Sequence, residues 1–115
     1  MLINRKEYLD KLISLKDKKI IKIITGVRRC GKSTLMEIFK DYLLKNGVSK
    51  DNIISINFED YDFYDLREPD KLYAYIKNKL DSEKQNYIFL DEIQHVEDFP
   101  RVVDSLFIKN NVDIY

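Results

Sequence analysis

The chain has 115 residues, 44% hydrophobic and 35% charged, a composition that fits one folded domain and excludes a disordered chain. Lysine and arginine together number 20, as do aspartate and glutamate, so the chain is not the basic coat that nucleic-acid binding usually needs. No apolar run approaches the roughly 20 residues of a membrane span. The start has no signal-peptide h-region, and the single cysteine, Cys30, excludes an internal disulfide, so the sequence reads as cytoplasmic. The zero balance hides a split. Residues 1–50 carry 13 basic and 5 acidic side chains, and residues 51–115 carry 7 basic and 15 acidic ones. The two halves either attract each other in the fold or meet different partners.

Asn4 with Glu7 forms a capping box, and Tyr8, Leu9, Leu12, Ile13 and Leu15 follow at helical spacing, which predicts a helix over residues 5–16. Residues 20–24, Ile-Ile-Lys-Ile-Ile, read as a strand buried on both faces, as in a parallel sheet. Residues 25–33 form a loop. Residues 34–46 read as a helix with Leu35, Ile38, Phe39, Tyr42 and Leu43 on one face, stopped by Gly47 in the position a helix C-terminus favours. Residues 53–58 are a second strand. The acidic and aromatic stretch 59–69 reads as a solvated loop pinned by buried rings, opening into a helix over 70–80 with Leu72, Tyr73, Ile76 and Leu80 inward. Residues 87–90 are a third strand, 98–108 a short helix with Pro100 in its first turn, and 112–115 the start of a fourth strand. Strands alternating with helices define an α/β class with a parallel sheet. Ending inside a strand is expected of the N-terminal part of a longer protein.

Gly26-Val27-Arg28-Arg29-Cys30-Gly31-Lys32-Ser33 fits the phosphate-loop pattern G-x-x-x-x-G-K-[ST] without mismatch. The motif follows a strand and opens a helix, as the chemistry requires. The two glycines let backbone amides turn inward around phosphate oxygens, and the helix adds its dipole and free N–H groups. Lys32 reaches the outer phosphates. The Ser33 hydroxyl ligates Mg²⁺, with Thr34 beside it. Arg28 and Arg29, at the loop apex, read as solvated in preference to touching nucleotide or a neighbouring subunit.

The strand 87–90 ends in Asp91-Glu92, placing two carboxylates at the edge of the sheet where α/β folds bind ligands. Asp91 supports the metal, and Glu92 polarises a water for attack on the γ-phosphate. His95, without cysteine or histidine partners, reads as a surface or core residue rather than a metal ligand. Gln94 is open between the two roles.

These motifs carry a resemblance. The loop 26–33, the strand 53–58 with Glu59-Asp60, and Leu90-Asp91-Glu92-Ile93-Gln94 resemble the AAA-superfamily P-loop ATPases of prokaryotes, over essentially the whole chain. The resemblance implies a three-layer P-loop sandwich, ATP as the nucleotide, Mg²⁺ as its metal and hydrolysis as the reaction. It also implies that the fourth strand lies between the strand leading to the loop and the strand bearing Asp91. Family members continue with a sensor residue, an arginine finger and a C-terminal domain in cis, and a homo-oligomer is compatible with that plan. The alternatives are a P-loop kinase acting on a small molecule, or a nucleotide-gated interaction module acting with DNA.

Overall fold

The computed structural model describes residues 5–16, 18, 21–22, 29–109 and 111–115. Three parallel strands form the sheet: β1 (Ile53–Asn57), β2 (Asn86–Asp91) and β3 (Val112–Ile114), in spatial order β1-β2-β3. Four α-helices accompany them: α1 (Arg5–Leu15), α2 (Arg29–Lys45), α3 (Pro69–Lys79) and α4 (Phe99–Phe107). The amide of Lys22 donates to the carbonyl of Ile114 at 3.0 Å, which sets residue 22 beside β3. Tyr115 extends the β2–β3 ladder at its amide and its carbonyl. The third strand in sequence is thus flanked by β2 on one side and by residue 22 on the other. Ile20, Ile23 and Ile24 of the expected first strand lie outside the described residues, as does Asn4 of the expected capping box.

Side-chain alternation divides the core in two. Ile54, Ile56, Ile88, Leu90, Val112 and Ile114 face α3 and α4, where Leu72, Ile76, Val102 and Leu106 complete a buried cluster. Tyr87, Phe89 and Tyr115 face the other way, against Leu12 of α1 and Leu35, Met36, Phe39 and Leu43 of α2. Here the rings of Phe39, Phe89 and Tyr115 pack with centroids 4.9–6.0 Å apart, the range of favourable aromatic pairs. Helices on both faces of a parallel sheet make the three-layer α/β architecture that the alternating pattern predicts.

Most boundaries fall within a residue or two of those read from the sequence. Gly47, with φ 92°, ends α2 as expected: its own amide and that of Val48 donate back to Leu44 and Leu43, the paired closure a left-handed residue permits. Two departures have physical causes. The segment after β1 contains a 3₁₀ helix, Tyr61–Arg67, opened by the Asp60 carboxylate accepting from the Asp62 amide. It carries no apolar period for the sequence to show. Phe63 and Leu66 are partly buried and pack against the core, while Tyr61 and Tyr64 are exposed, so the stretch is held by one half-buried ring and not by the buried rings expected. The second departure is the start of α2 at Arg29 instead of Thr34. Arginine, lysine, leucine and methionine are strong helix formers, and a single interior glycine, Gly31, costs only about 1 kcal/mol.

The polar residue within the nearly all-apolar segment 20–24 is buried as well. Lys22 is 3% exposed. Its ammonium pairs with the buried Asp113 carboxylate and donates to the Lys18 carbonyl at 2.7 Å. The Tyr115 hydroxyl donates to the other Asp113 oxygen at 2.7 Å. A buried lysine persists because an acid from β3 neutralises it and the remaining donors find oxygens. At the N-terminal edge of the sheet, fully buried Asn86 donates to the carbonyls of Asp81, Lys84 and Asn111, closing the end opposite the acidic strand end.

Candidate functional site

β2 positions the two acids. Asp91 is its last residue, in register with Asn57 of β1, and it lies on the same face as Tyr87 and Phe89, the face that α2 covers. The next residue, Glu92, adopts a left-handed backbone, φ 60° and ψ 44°. The chain thereby leaves the strand direction at once and enters a short turn, Ile93–His95, closed by the His95 amide donating to the Glu92 carbonyl at 3.3 Å. Buried Val96 anchors the turn in the core. A residue with a Cβ pays a backbone cost of roughly 1–2 kcal/mol in this conformation.

Three side chains converge on Glu92. The Gln94 side-chain amide donates to its Oε1. Glu59, two residues beyond β1, and His95 each bring one donor atom into a set with Glu92 whose members all lie within 4.8 Å of one another. His95 Nε2 stands 3.7 Å from Glu59 Oε2. The sequence left His95 open between surface and core; it is exposed, and its pairing with Glu59 was not expected. The available signal was the parallel register: Asn57-Phe58-Glu59 leaves β1 beside Asp91-Glu92 leaving β2. Arg67 ties the same edge together. Its Nε and Nη2 both donate to the Phe58 carbonyl, at 3.0 and 2.7 Å, and its own carbonyl accepts from the Glu97 amide.

A cavity of about 460 Å³ opens at this edge. Leu90, Ile93, Phe99 and Val103 form much of its wall, with Asp91, Glu92 and Gln94 as polar members. Met36 of α2 lines it too. Met36 lies three residues beyond Ser33, so α2 at Met36 and the acidic strand end border one space. Of the sequence-predicted loop, Arg29, Cys30, Gly31, Lys32, Ser33 and Thr34 open α2, and Gly26, Val27 and Arg28 lie outside the described residues. The first turn of α2 contains no acid, although the partial positive charge of a helix N-terminus favours one there.

Helices on both faces of a parallel sheet, with two acids at one strand end, define a three-layer α/β domain. A family described as AAA domain matches residues 18–115, and the chain belongs to that family. It is 38% identical over 114 residues to a Haemophilus influenzae protein named "Uncharacterized protein", an alignment that covers 98% of this chain and 28% of that relative. The chain thus spans a little over a quarter of the relative's length. No solved structure matches it. Among the described residues, no helix is long and apolar enough to cross a membrane.

Proposed function

We propose that the chain binds ATP at residues 26–34 and carries the residues that hydrolyse it, as part of an ATPase. The observation that supports this most directly is the shared cavity: Met36, one turn into α2 from Ser33, and the acids Asp91 and Glu92 line the same space. The phosphate-loop motif runs into the start of the same helix, α2. Membership of the AAA domain family over residues 18–115 supports nucleotide binding and favours ATP.

In this reading the backbone amides at the start of α2 and the Lys32 ammonium hold the phosphates by charge-assisted hydrogen bonds. The donor set fits a hard divalent cation: a serine hydroxyl and a carboxylate are oxygen ligands of the kind magnesium takes. Ser33 and Asp91 would hold Mg²⁺, which when bound neutralises charge on the phosphate oxygens. Glu92 accepts a proton from a water as that water's oxygen bonds to the γ-phosphorus. The bond to the β,γ-bridging oxygen breaks, and ADP and inorganic phosphate result. The strained backbone turns Glu92 away from the strand line, so it serves the water while Asp91 serves the metal. Among the described residues, nothing at this edge favours the kinase or DNA-gated alternatives over hydrolysis.

Two variants test the reading. Lys32→Ala removes a charged phosphate contact worth roughly 1.5–3 kcal/mol, which is about tenfold or more in ATP affinity. Glu92→Gln keeps the shape and the affinity but removes the base, so turnover in the full-length protein falls by about 10²–10⁴. Calorimetry with Mg·ATP and a phosphate-release assay read the two effects. Unchanged affinity in the first variant, or surviving turnover in the second, overturns the corresponding assignment.

A further inference from the structure

We infer that Gln94 is the positioning residue for the Glu92 carboxylate. The inference rests on the proposed role of Glu92 as the base and adds a second residue to that machinery. Three observations carry it. The Gln94 amide donates to Glu92 Oε1. Gln94 lines the same cavity as Asp91 and Glu92. Its backbone is held from both sides, by Ile93 packed against the core cluster and by Val96 buried within it.

The chemistry requires such a group. A glutamate side chain has three rotatable bonds, and a base that wanders spends little time within reach of the attacking water. The left-handed backbone of Glu92 takes it out of the β2 strand line. A donor two residues onward, on a turn fixed by buried neighbours, supplies the restraint. An amide suits the task better than a cationic donor. It orients the carboxylate without adding a full positive charge, which would lower the carboxylate's basicity. Glu59 and His95 stand on the same cluster, so a charged residue in place of Gln94 would also alter that pair.

Two measurements decide the matter. In ¹⁵N spectra of the chain, the Gln94 side-chain NH₂ signals, assigned by their loss in Gln94→Glu, are expected to shift in Glu92→Ala. Signals that stay in place overturn the contact. In the full-length protein, Gln94→Ala and Gln94→Glu are both expected to lower kcat by about tenfold to a hundredfold, with the KM for ATP within about twofold of the parent. Gln94→Glu is close in shape but donates nothing, so a purely steric role would leave it near parental turnover, and that result overturns the inference. A parent that turns over, is inactive as Glu92→Gln and is unimpaired as Gln94→Ala overturns this inference alone. A parent with no turnover overturns the hydrolytic reading, and this inference with it.

Discussion

Among the described residues, two non-glycine residues hold positive φ: Glu92 at 60° and Asp98 at 55°. They flank one short stretch and differ in purpose. At Glu92 the conformation aims a side chain proposed to be catalytic. At Asp98 it starts α4 without a side-chain capping bond, the carboxylate lying 3.8 Å from exposed Arg101. An exposed pair of that kind contributes little, so the backbone dominates at Asp98. Left-handed geometry costs a residue with a Cβ roughly 1–2 kcal/mol, with aspartate among the more tolerant and glycine free of the cost. Asp98→Ala is therefore expected to be less stable than Asp98→Gly by about 1 kcal/mol, opposite to their order in a helix interior and in the same direction as the N-cap preference. Urea unfolding of the two variants measures it. Equal midpoints would mean that the positive φ is not what this position demands.

At the scale of elements, Lys22 and Asp113 join residue 22 to β3 across 91 positions of sequence. Removing one partner of a buried pair leaves an uncompensated charge and costs about 3–5 kcal/mol, while removing both charges is far cheaper. Lys22→Met is thus expected to destabilise strongly, and Lys22→Met with Asp113→Asn to recover most of the loss. Asparagine still accepts from the Tyr115 hydroxyl. Denaturant midpoints of the single and double variants check this, and a double variant as unstable as the single would refute it. The same pair shows where the sequence was legible and where it was not. Apolar runs such as Tyr87–Leu90 announce buried strands, because burial on both faces leaves no room for polar residues. The periods of α2 and α3 announce helices for the matching reason. The lysine within Ile-Ile-Lys-Ile-Ile is buried only because an acid far along the chain meets it, and no local pattern encodes that meeting. The acids at the end of β2 were legible from strand followed by charge. The approach of Glu59, His95 and Gln94 to Glu92 was not, since it depends on a left-handed residue and a turn that sequence periodicity does not register.

The whole molecule is electrically polarised, although its net charge is zero. The basic half of the sequence supplies α1 and α2, which cover one face of the sheet. Much of the acidic half collects where β1 and β2 end: Glu59, Asp60, Asp91 and Glu92, then Glu97 and Asp98. The Cα envelope measures 38 × 31 × 23 Å. At 0.01 M ionic strength the Debye length is about 30 Å, so charges across most of this span feel one another; at 0.1 M it is about 10 Å, and only near neighbours do. Two opposed halves attract, and the unfolded chain holds them farther apart. Salt should then destabilise the fold, by an amount of order 1 kcal/mol, the sum of many weak exposed interactions. A chain of the same composition with its charges mixed along the sequence would show less of this effect. Sodium chloride below about 0.3 M is the suitable range, because stronger or more excluded salts add a separate stabilisation of apolar burial. The urea midpoint is expected to fall between 0.01 and 0.3 M salt, with the denaturant slope unchanged, since the slope follows the surface exposed and not the charge. A midpoint that rises instead would show that repulsion within each half outweighs attraction between them. The charge split would then be better explained by partners that each half meets outside this domain.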